Sequence, residues 1–371
     1  MKMLMVGDAV SCRSGLGRIV RDVAARIHQE GLFEVATAGY LAPADFRYPW
    51  HQPTFTIEKD TWQINELPVI ARSFSPDILF FVWDASRLDW VADPQAHIRN
   101  PILKQWMLDF KGKKWVYPAV DAEGPNGVLT YKLRQTLSRF DRVLNYSQFS
   151  ANITKFPDVL PHGIDTDVFK PVPEARKLFR QMGFWTLEED DFLIGIVATN
   201  QERKNWQLGI ETAAILKKDG LPVKLWLHVD RNVRNWDIGS LLVDYGIKLQ
   251  DTAITLGEVT DQQMSIMYSA CDVTLGIGNG EGFGYPIFES LACGTPCVHG
   301  NYGGAVEHMD TSLLIEPTGD YYESPYSNHR MTYNPRHWAR TAAIVAKYPA
   351  TLPEHLDWNN LWPRWKEWLT R

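Results

Sequence analysis

Short apolar runs alternate with amphipathic stretches along most of the chain, the arrangement expected of βαβ units and parallel sheets. In the first half the runs predict strands over Lys2–Val6, Glu34–Gly39, Asp77–Val82, Lys114–Val120 and Arg142–Tyr146. Helices are predicted over Leu16–Gln29, Gln63–Phe74, Gly127–Phe140 and Ser147–Lys155. The pattern then restarts. Strands fit Phe192–Ala198, Val223–Val229, Ile254–Leu256, Val273–Gly276 and Pro296–Val298. Helices fit Trp206–Asp219, Ile238–Tyr245, Asp261–Ala270, Tyr285–Cys293 and, at the end, Trp358–Leu369.

Between the halves stand Pro157, Pro161, Pro171 and Pro173, which forbid a long helix and suit an ordered linker. The expectation is an α/β chain of two Rossmann-like domains, 1–160 and 161–351, facing across a cleft. Ligands of open α/β sheets bind beyond the carboxyl ends of the strands, so the two domains would share one site there. No fixed-period repeat or low-complexity tract interrupts this plan.

The length of 371 residues suits two such domains. Hydrophobic residues at 45% and charged residues at 22% exclude a disordered, collagen-like or small disulfide-stapled chain. A net charge of −6 argues against bulk attraction to nucleic acid or anionic lipid. Cys12, Cys271, Cys293 and Cys297 form no CxxC pair, which disfavours metal ribbons and redox motifs and predicts buried thiols in a reducing compartment. The opening MKMLMVGDAV is too short an apolar run for a signal peptide, and no segment reaches the roughly 18 apolar residues that span a bilayer. A cytoplasmic protein is expected. The fifteen tryptophans are read as core filling.

Four stretches offer chemistry, each with an ordinary structural reading beside it. Gly280-Glu281-Gly282-Phe283-Gly284-Tyr285-Pro286 follows a strand and opens a helix that Gly294 closes. Its glycines admit close backbone approach, and the N–H groups at a helix start attract anions such as pyrophosphate. Glu289, read as a first-turn residue, could bind sugar or ribose hydroxyls or merely complement the helix dipole. Asn200-Gln201-Glu202-Arg203-Lys204-Asn205 follows the first strand of the second half. Its Arg-Lys pair could neutralise a departing diphosphate or form a solvated turn. Gly15-Leu16-Gly17 resembles half of a dinucleotide fingerprint, but Val20 stands at the third glycine, which disfavours a dehydrogenase. Asp121, just past a strand, could bind a sugar hydroxyl or support developing positive charge, or simply form a turn before Gly124-Pro125. His228 and Asp230 end another strand and rank lower. No His, Asp and Glu grouping has metal-ligand spacing.

Together these stretches resemble the GT-B glycosyltransferases, specifically the retaining glycosyltransferase family 4. Glu281 and Glu289 match its Glu-x7-Glu signature within EGFGYPIFESLACGTPCV; Pro161–Pro171 looks like its entry into the second domain; Arg203-Lys204 sits where that family has a basic pair; Gly15-Leu16-Gly17 is similar to its first glycine-rich loop. The resemblance runs from Met1 to His308. It implies a nucleotide-diphospho-sugar donor, with a UDP- or GDP-sugar expected, no cofactor, no required metal and retained anomeric configuration. By the resemblance Arg203, Lys204, Glu281 and Asp121 take catalytic roles. Glu289 holds the donor ribose, the Gly282, Phe283, Gly284 and Tyr285 amides and Glu281 face the donor sugar and phosphates, and Leu256–Val259, with Gly257, lies near the base. Gly15, Gly17 and Asn200 are further donor-side positions, and the end of the chain (352–371) crosses back onto the first domain.

Two departures stand out. Relatives carry a His where Asp121 stands, and an Arg shortly after the strand that here leads into Ala198-Thr199-Asn200. The first leaves the sugar-contacting group open, and the second shifts phosphate charge onto Arg203 and Lys204. The expected acceptor is a hydroxyl of a saccharide or lipid-linked saccharide. Lys111, Lys113, Lys114, Arg134, Arg139 and Arg142 keep a modified base of DNA as an alternative acceptor, and Arg18, Arg21 and Arg26 keep peripheral membrane contact open. An epimerase or a non-transferring nucleotide-sugar binder shares the scaffold.

Overall fold

The computed structural model describes every residue except 13, 41–53, 58–65, 92–100, 231–234 and 258, and for 40 and 54–57 it describes the backbone alone. The chain divides into two units: Met1–Pro161 with Ser324–Asn328 and Trp368–Arg371, and His162–Glu323 with His329–Glu367.

The first unit is built on a six-stranded parallel sheet in the order β3-β2-β1-β4-β5-β6. Its strands are β1 (Lys2–Asp8), β2 (Glu34–Tyr40), β3 (Thr54–Ile57), β4 (Ile78–Asp84), β5 (Lys113–Ala119) and β6 (Arg142–Val143). Helices α1 (Gly15–Gln29), α2 (Leu67–Phe74), α3 (Pro101–Asp109), α4 (Tyr131–Leu137) and α5 (Gln148–Thr154) lie between them in sequence. Strands β1 and β4 are apolar nearly throughout and buried, as strands covered on both faces must be. Leu4, Val6, Leu79, Phe81, Val116 and Leu137 form the centre of one core.

The second unit repeats the plan in the order β12-β11-β10-β7-β8-β9. Here β7 is Phe192–Val197, β8 Val223–Val229, β9 Thr252–Leu256, β10 Val273–Gly276, β11 Cys297–Gly300 and β12 Leu314–Ile315. The helices are α6 (Ala175–Gln181), α7 (Trp206–Lys218), α8 (Ile238–Asp244), α9 (Asp261–Ala270), α10 (Tyr285–Ala292), α11 (Pro335–Val345) and α12 (Trp358–Thr370), the last from Trp368 onward counted with the first unit. A two-stranded ribbon, β13 (Gly319–Glu323) and β14 (Asn328–Thr332), completes the set. Trp206, Trp226, Trp338, Trp358 and Trp365 are fully buried, as core filling requires.

Several expected boundaries move. The helix expected over Gly127–Phe140 is only α4, because Asn126 and Gly127 are left-handed (φ 62° and 71°) and Thr130 has a non-helical ψ of 155°. The strand expected to Tyr146 stops at Val143; Asn145 bridges to Val159 instead. Part of the predicted helix Gln63–Phe74, residues 63–65, lies outside the described residues, and α2 covers Leu67–Phe74. Strands β3 and β12 to β14 and helices α3, α6 and α11 were not predicted. No described helix is long and apolar enough to cross a membrane. Cys271, Cys293 and Cys297 are buried free thiols, with Cys12 half-buried. Burial pushes the Cys293 thiol up to about 11 and Cys297 to about 12.

Candidate active site

The order of the second sheet places its topological switch point between β7 and β10: the chain leaves β7 toward β8 on one side and returns to β10 on the other. Loops from adjacent strand ends diverge at such a point and open a crevice where α/β proteins bind ligands. The two loops here are the Asn200–Asn205 segment after β7 and the Ile277–Gly284 segment after β10. Each is fixed by its helix. Asn205 caps α7, its Oδ1 accepting from the Leu208 N–H at 3.2 Å. Gly284 stands before α10 in the left-handed region (φ 80°), and Pro286 follows inside the first turn.

In the crevice the Glu281 carboxylate is almost fully enclosed and lies between two cations. Lys204 Nζ donates to its Oε1, and an Arg203 guanidinium nitrogen stands 3.6 Å from Oε2. Arg203 also donates to the Gly280 carbonyl at 3.3 Å. Burial pushes the Glu281 carboxyl up, but Lys204 and Arg203 more than reverse this and hold it at about 2. The close approach depends on two glycines. A Cβ on Gly278 would lie 2.3 Å from Glu281 Oε1. One on Gly303, where φ is +102°, would lie 2.4 Å from the Glu281 carbonyl oxygen. That carbonyl accepts from Gly304 N–H at 2.8 Å. Behind the pair sits buried His299, whose Nδ1 meets the Gly276 carbonyl; burial lowers its pKa against the pull of Glu281.

Glu289 is buried and accepts from Tyr268 Oη at 2.9 Å. Because α10 begins at Tyr285, Glu289 is the helix's fifth residue, in the second turn and not in the first as expected. Phe283 and Tyr285 pack on the buried His162 ring, Tyr285 stacked at 5.1 Å and Phe283 edge-on at 4.7 Å. Burial lowers the His162 pKa to about 3, so the ring is neutral at pH 7.

Residues 180–320, which hold both loops, match the family model of glycosyl transferases group 1. The match covers 180–320 alone, so it is a likeness of this stretch to that family. A D-inositol 3-phosphate glycosyltransferase of Pseudarthrobacter chlorophenolicus is 25% identical over 221 residues, 54% of this chain and 51% of that protein. One of Thermobispora bispora is 22% identical over 284 residues, 73% and 62% of the two chains. The chain spans about half the length of the first of these relatives. Among solved structures, sucrose-phosphate synthase (tll1590) from Thermosynechococcus elongatus superposes with a TM-score of 0.75 at 14% identity, covering 100% of this chain and 98% of that one. Anabaena Alr3699/HepE, solved in complex with UDP and glucose, gives 0.70 at 16% identity, covering 100% and 99%. These likenesses establish the GT-B fold.

Within this unit the structure brings Arg203, Lys204, Glu281 and Gly282 to one place. Asn200 lies on the same loop, but its side chain is committed to Trp236, donating to that carbonyl and accepting from its N–H, both at 2.9 Å. Gly257 ends edge strand β9 with open space where a side chain would stand, while neighbouring residue 258, within the expected base-side stretch, is outside the described residues. His228 bonds Thr255, and Asp230 accepts from the Asn200 N–H, so both serve the loop framework.

Gly15, Gly17 and Asp121 belong to the other unit. Gly17 is a packing requirement: a Cβ there would stand 2.6 Å from the Ala9 and Cys12 carbonyl oxygens. Asp121 lies just past β5. That sheet has its own switch point between β1 and β4, where a cluster missed in the sequence stands. Buried Asp8 accepts from Ser14 Oγ at 2.6 Å and from Arg87 at 2.7 Å, and Asp84 lies 3.4 Å from the same guanidinium. Only the end-of-strand position of Asp8 and the N-cap position of Ser14 hint at this cluster in the sequence. His299, Gly278 and Gly303 were likewise missed, since only three-dimensional closeness to Glu281 marks them. No described cluster of three or more His, Cys, Asp or Glu could hold a metal ion.

Proposed function

We propose that the protein is a retaining glycosyltransferase that moves a sugar from a nucleotide-diphospho-sugar to an acceptor hydroxyl. The observation that carries this reading is the buried Glu281 carboxylate held by Lys204 and Arg203 at the switch point. Two cations on the loop before α7, held by Glu281 on the loop before α10, form a preorganised counter-charge for a departing diphosphate. The diphosphate would leave from the face that the acceptor hydroxyl attacks, and its leaving oxygen would take the acceptor's proton. Lys204 and Arg203 neutralise the charge that develops as the glycosidic bond breaks. Glu281, held ionised, faces the donor sugar, and Glu289 receives the ribose hydroxyls. No separate protein base is needed.

The fold likeness to a protein solved with UDP and glucose supports a nucleotide-sugar donor. Relatives named D-inositol 3-phosphate glycosyltransferases support a polyol or saccharide hydroxyl as acceptor. The test is thermal stability with UDP, GDP, ADP, CDP and TDP, each alone and with matching sugars. A ligand at about 100 times its Kd adds about 2.7 kcal/mol, a visible rise in Tm. A rise with one base identifies the donor; no rise with any of them refutes the donor site. Conversion of the donor to another sugar nucleotide without acceptor would identify an epimerase instead.

A further inference from the structure

The two loops of the candidate site do not rest on each other through ion pairs alone. Asn279, two residues before Glu281 and only 4% exposed, uses all four of its polar groups to tie three segments together. Its N–H donates to the Arg203 carbonyl at 2.9 Å, and its Oδ1 accepts from Asn205 Nδ2 at 3.3 Å. Both bonds grip the loop that carries Lys204. Its Nδ2 donates to Tyr321 Oη on β13 at 3.2 Å, and its carbonyl accepts from the Met331 N–H on β14 at 3.3 Å. The ribbon therefore buttresses the acidic loop, and Asn279 passes that support to the basic loop.

We propose that Asn279 is a positioning residue: it holds the Arg203-Lys204 loop in register with Glu281, and the β13–β14 ribbon, through Tyr321, fixes its side-chain amide. Asn279 itself touches no reacting group. Two long, flexible cations serve a developing charge only if their backbone is set, and a displacement of about 1 Å at such a site costs on the order of 10²-fold in rate. The residue is legible only in three dimensions, since its partners Arg203 and Asn205 lie far before it in the chain and Tyr321 and Met331 far after.

The full-length chain is compared as wild type, Asn279→Ala and Tyr321→Phe. Hydrogen–deuterium exchange is followed over residues 199–206, with the α11 peptides as control, and UDP, GDP, ADP, CDP and TDP are titrated by calorimetry. The expected result for Asn279→Ala is exchange at least about tenfold faster over 199–206 and unchanged in α11. Nucleotide Kd is expected to rise about tenfold, with the binding stoichiometry preserved. Tyr321→Phe, which deletes one of the four bonds, should show the same pattern at about two- to threefold, and it carries the test if Asn279→Ala does not fold. Unchanged exchange over 199–206 overturns the proposal. So does faster exchange with an unaltered Kd, which makes Asn279 a structural tie and nothing more. The nucleotide arm rests on the glycosyltransferase reading; if wild type binds none of UDP, GDP, ADP, CDP and TDP, that reading fails, and the exchange arm alone decides whether Asn279 holds the loop.

Discussion

Replacing Glu281 by Gln tests the charge balance at the heart of the site. The carboxyl's ordinary value of 4.5 falls to about 2 because Lys204 and Arg203 outweigh the burial that pushes it up. The distance from 4.5 to about 2, at about 1.4 kcal/mol per pH unit, comes to roughly 3 kcal/mol of native-state stability. The sign follows from the direction. A depressed folded-state pKa means the unfolded chain binds its proton first, so the contribution is complete above about pH 4.5 and is lost as the pH falls toward 2. Urea unfolding of wild type and Glu281→Gln, followed by tryptophan fluorescence from pH 7 to pH 2.5, reads it directly. Wild type should exceed the variant by a constant margin down to about pH 5, the uncompensated lysine and arginine costing the variant several kcal/mol. Below that the margin should shrink by most of roughly 3 kcal/mol. A margin that stays flat across the whole range would refute the ionised, cation-held carboxylate.

Three further outcomes follow from the same geometry. Lys204→Ala should lower turnover by about 10²-fold or more, the loss expected for one charge-stabilising donor, and near-wild-type turnover in a donor-hydrolysis or transfer assay would sink its proposed role. Glu289→Ala should weaken nucleotide-sugar binding in calorimetry more than it changes turnover at saturating donor; unchanged affinity removes the ribose assignment. Gly278→Ala should displace the Glu281 side chain, since the new Cβ would stand 2.3 Å from its Oε1. A melting temperature several degrees below wild type, with activity largely lost, is the expected pair of results, and a variant with wild-type Tm and turnover contradicts the packing around the carboxylate.

The fold was legible where the hydrophobic pattern is strong. Strands β8 and β10 and helix α9 fall on the predicted residues because each apolar run is bounded by clear breaks. Helix α6 was missed because only Ala175 and Phe179 of its seven residues are buried, too little for a period to show. Helix α11 buries Trp338, Ala339, Ala342 and Val345, but alanines barely contrast with the polar face. The site divides the same way. Arg203, Lys204 and Glu281 could be singled out because they stand in loops at strand ends and match a family resemblance, although each also had an ordinary surface reading. Asn279 and His299 gave no such signal; both look like ordinary loop and strand residues until the fold brings distant partners to them. Glu289 was assigned to the right helix, but its turn could not be set before the helix start was known.

The buried triad also bears on how the proposed reaction would begin. Lys204 and Arg203 are not waiting as free cations: both are engaged by Glu281, and Arg203 also by the Gly280 carbonyl. A diphosphate entering the crevice therefore competes with a carboxylate for the same two donors. The cost of desolvating two like charges is met by Glu281, which lets the loops fold with the cations preplaced. A carboxylate carries one negative charge, whereas a diphosphate whose sugar is leaving carries more, so the cations favour the ligand increasingly as the bond breaks. In the proposed reaction Glu281 would then be released toward the sugar as positive charge develops there. In the proposed reaction the same three side chains would hold the loops together and supply stabilisation that grows as the bond breaks, an exchange that requires the register between the two loops that Asn279 is proposed to keep.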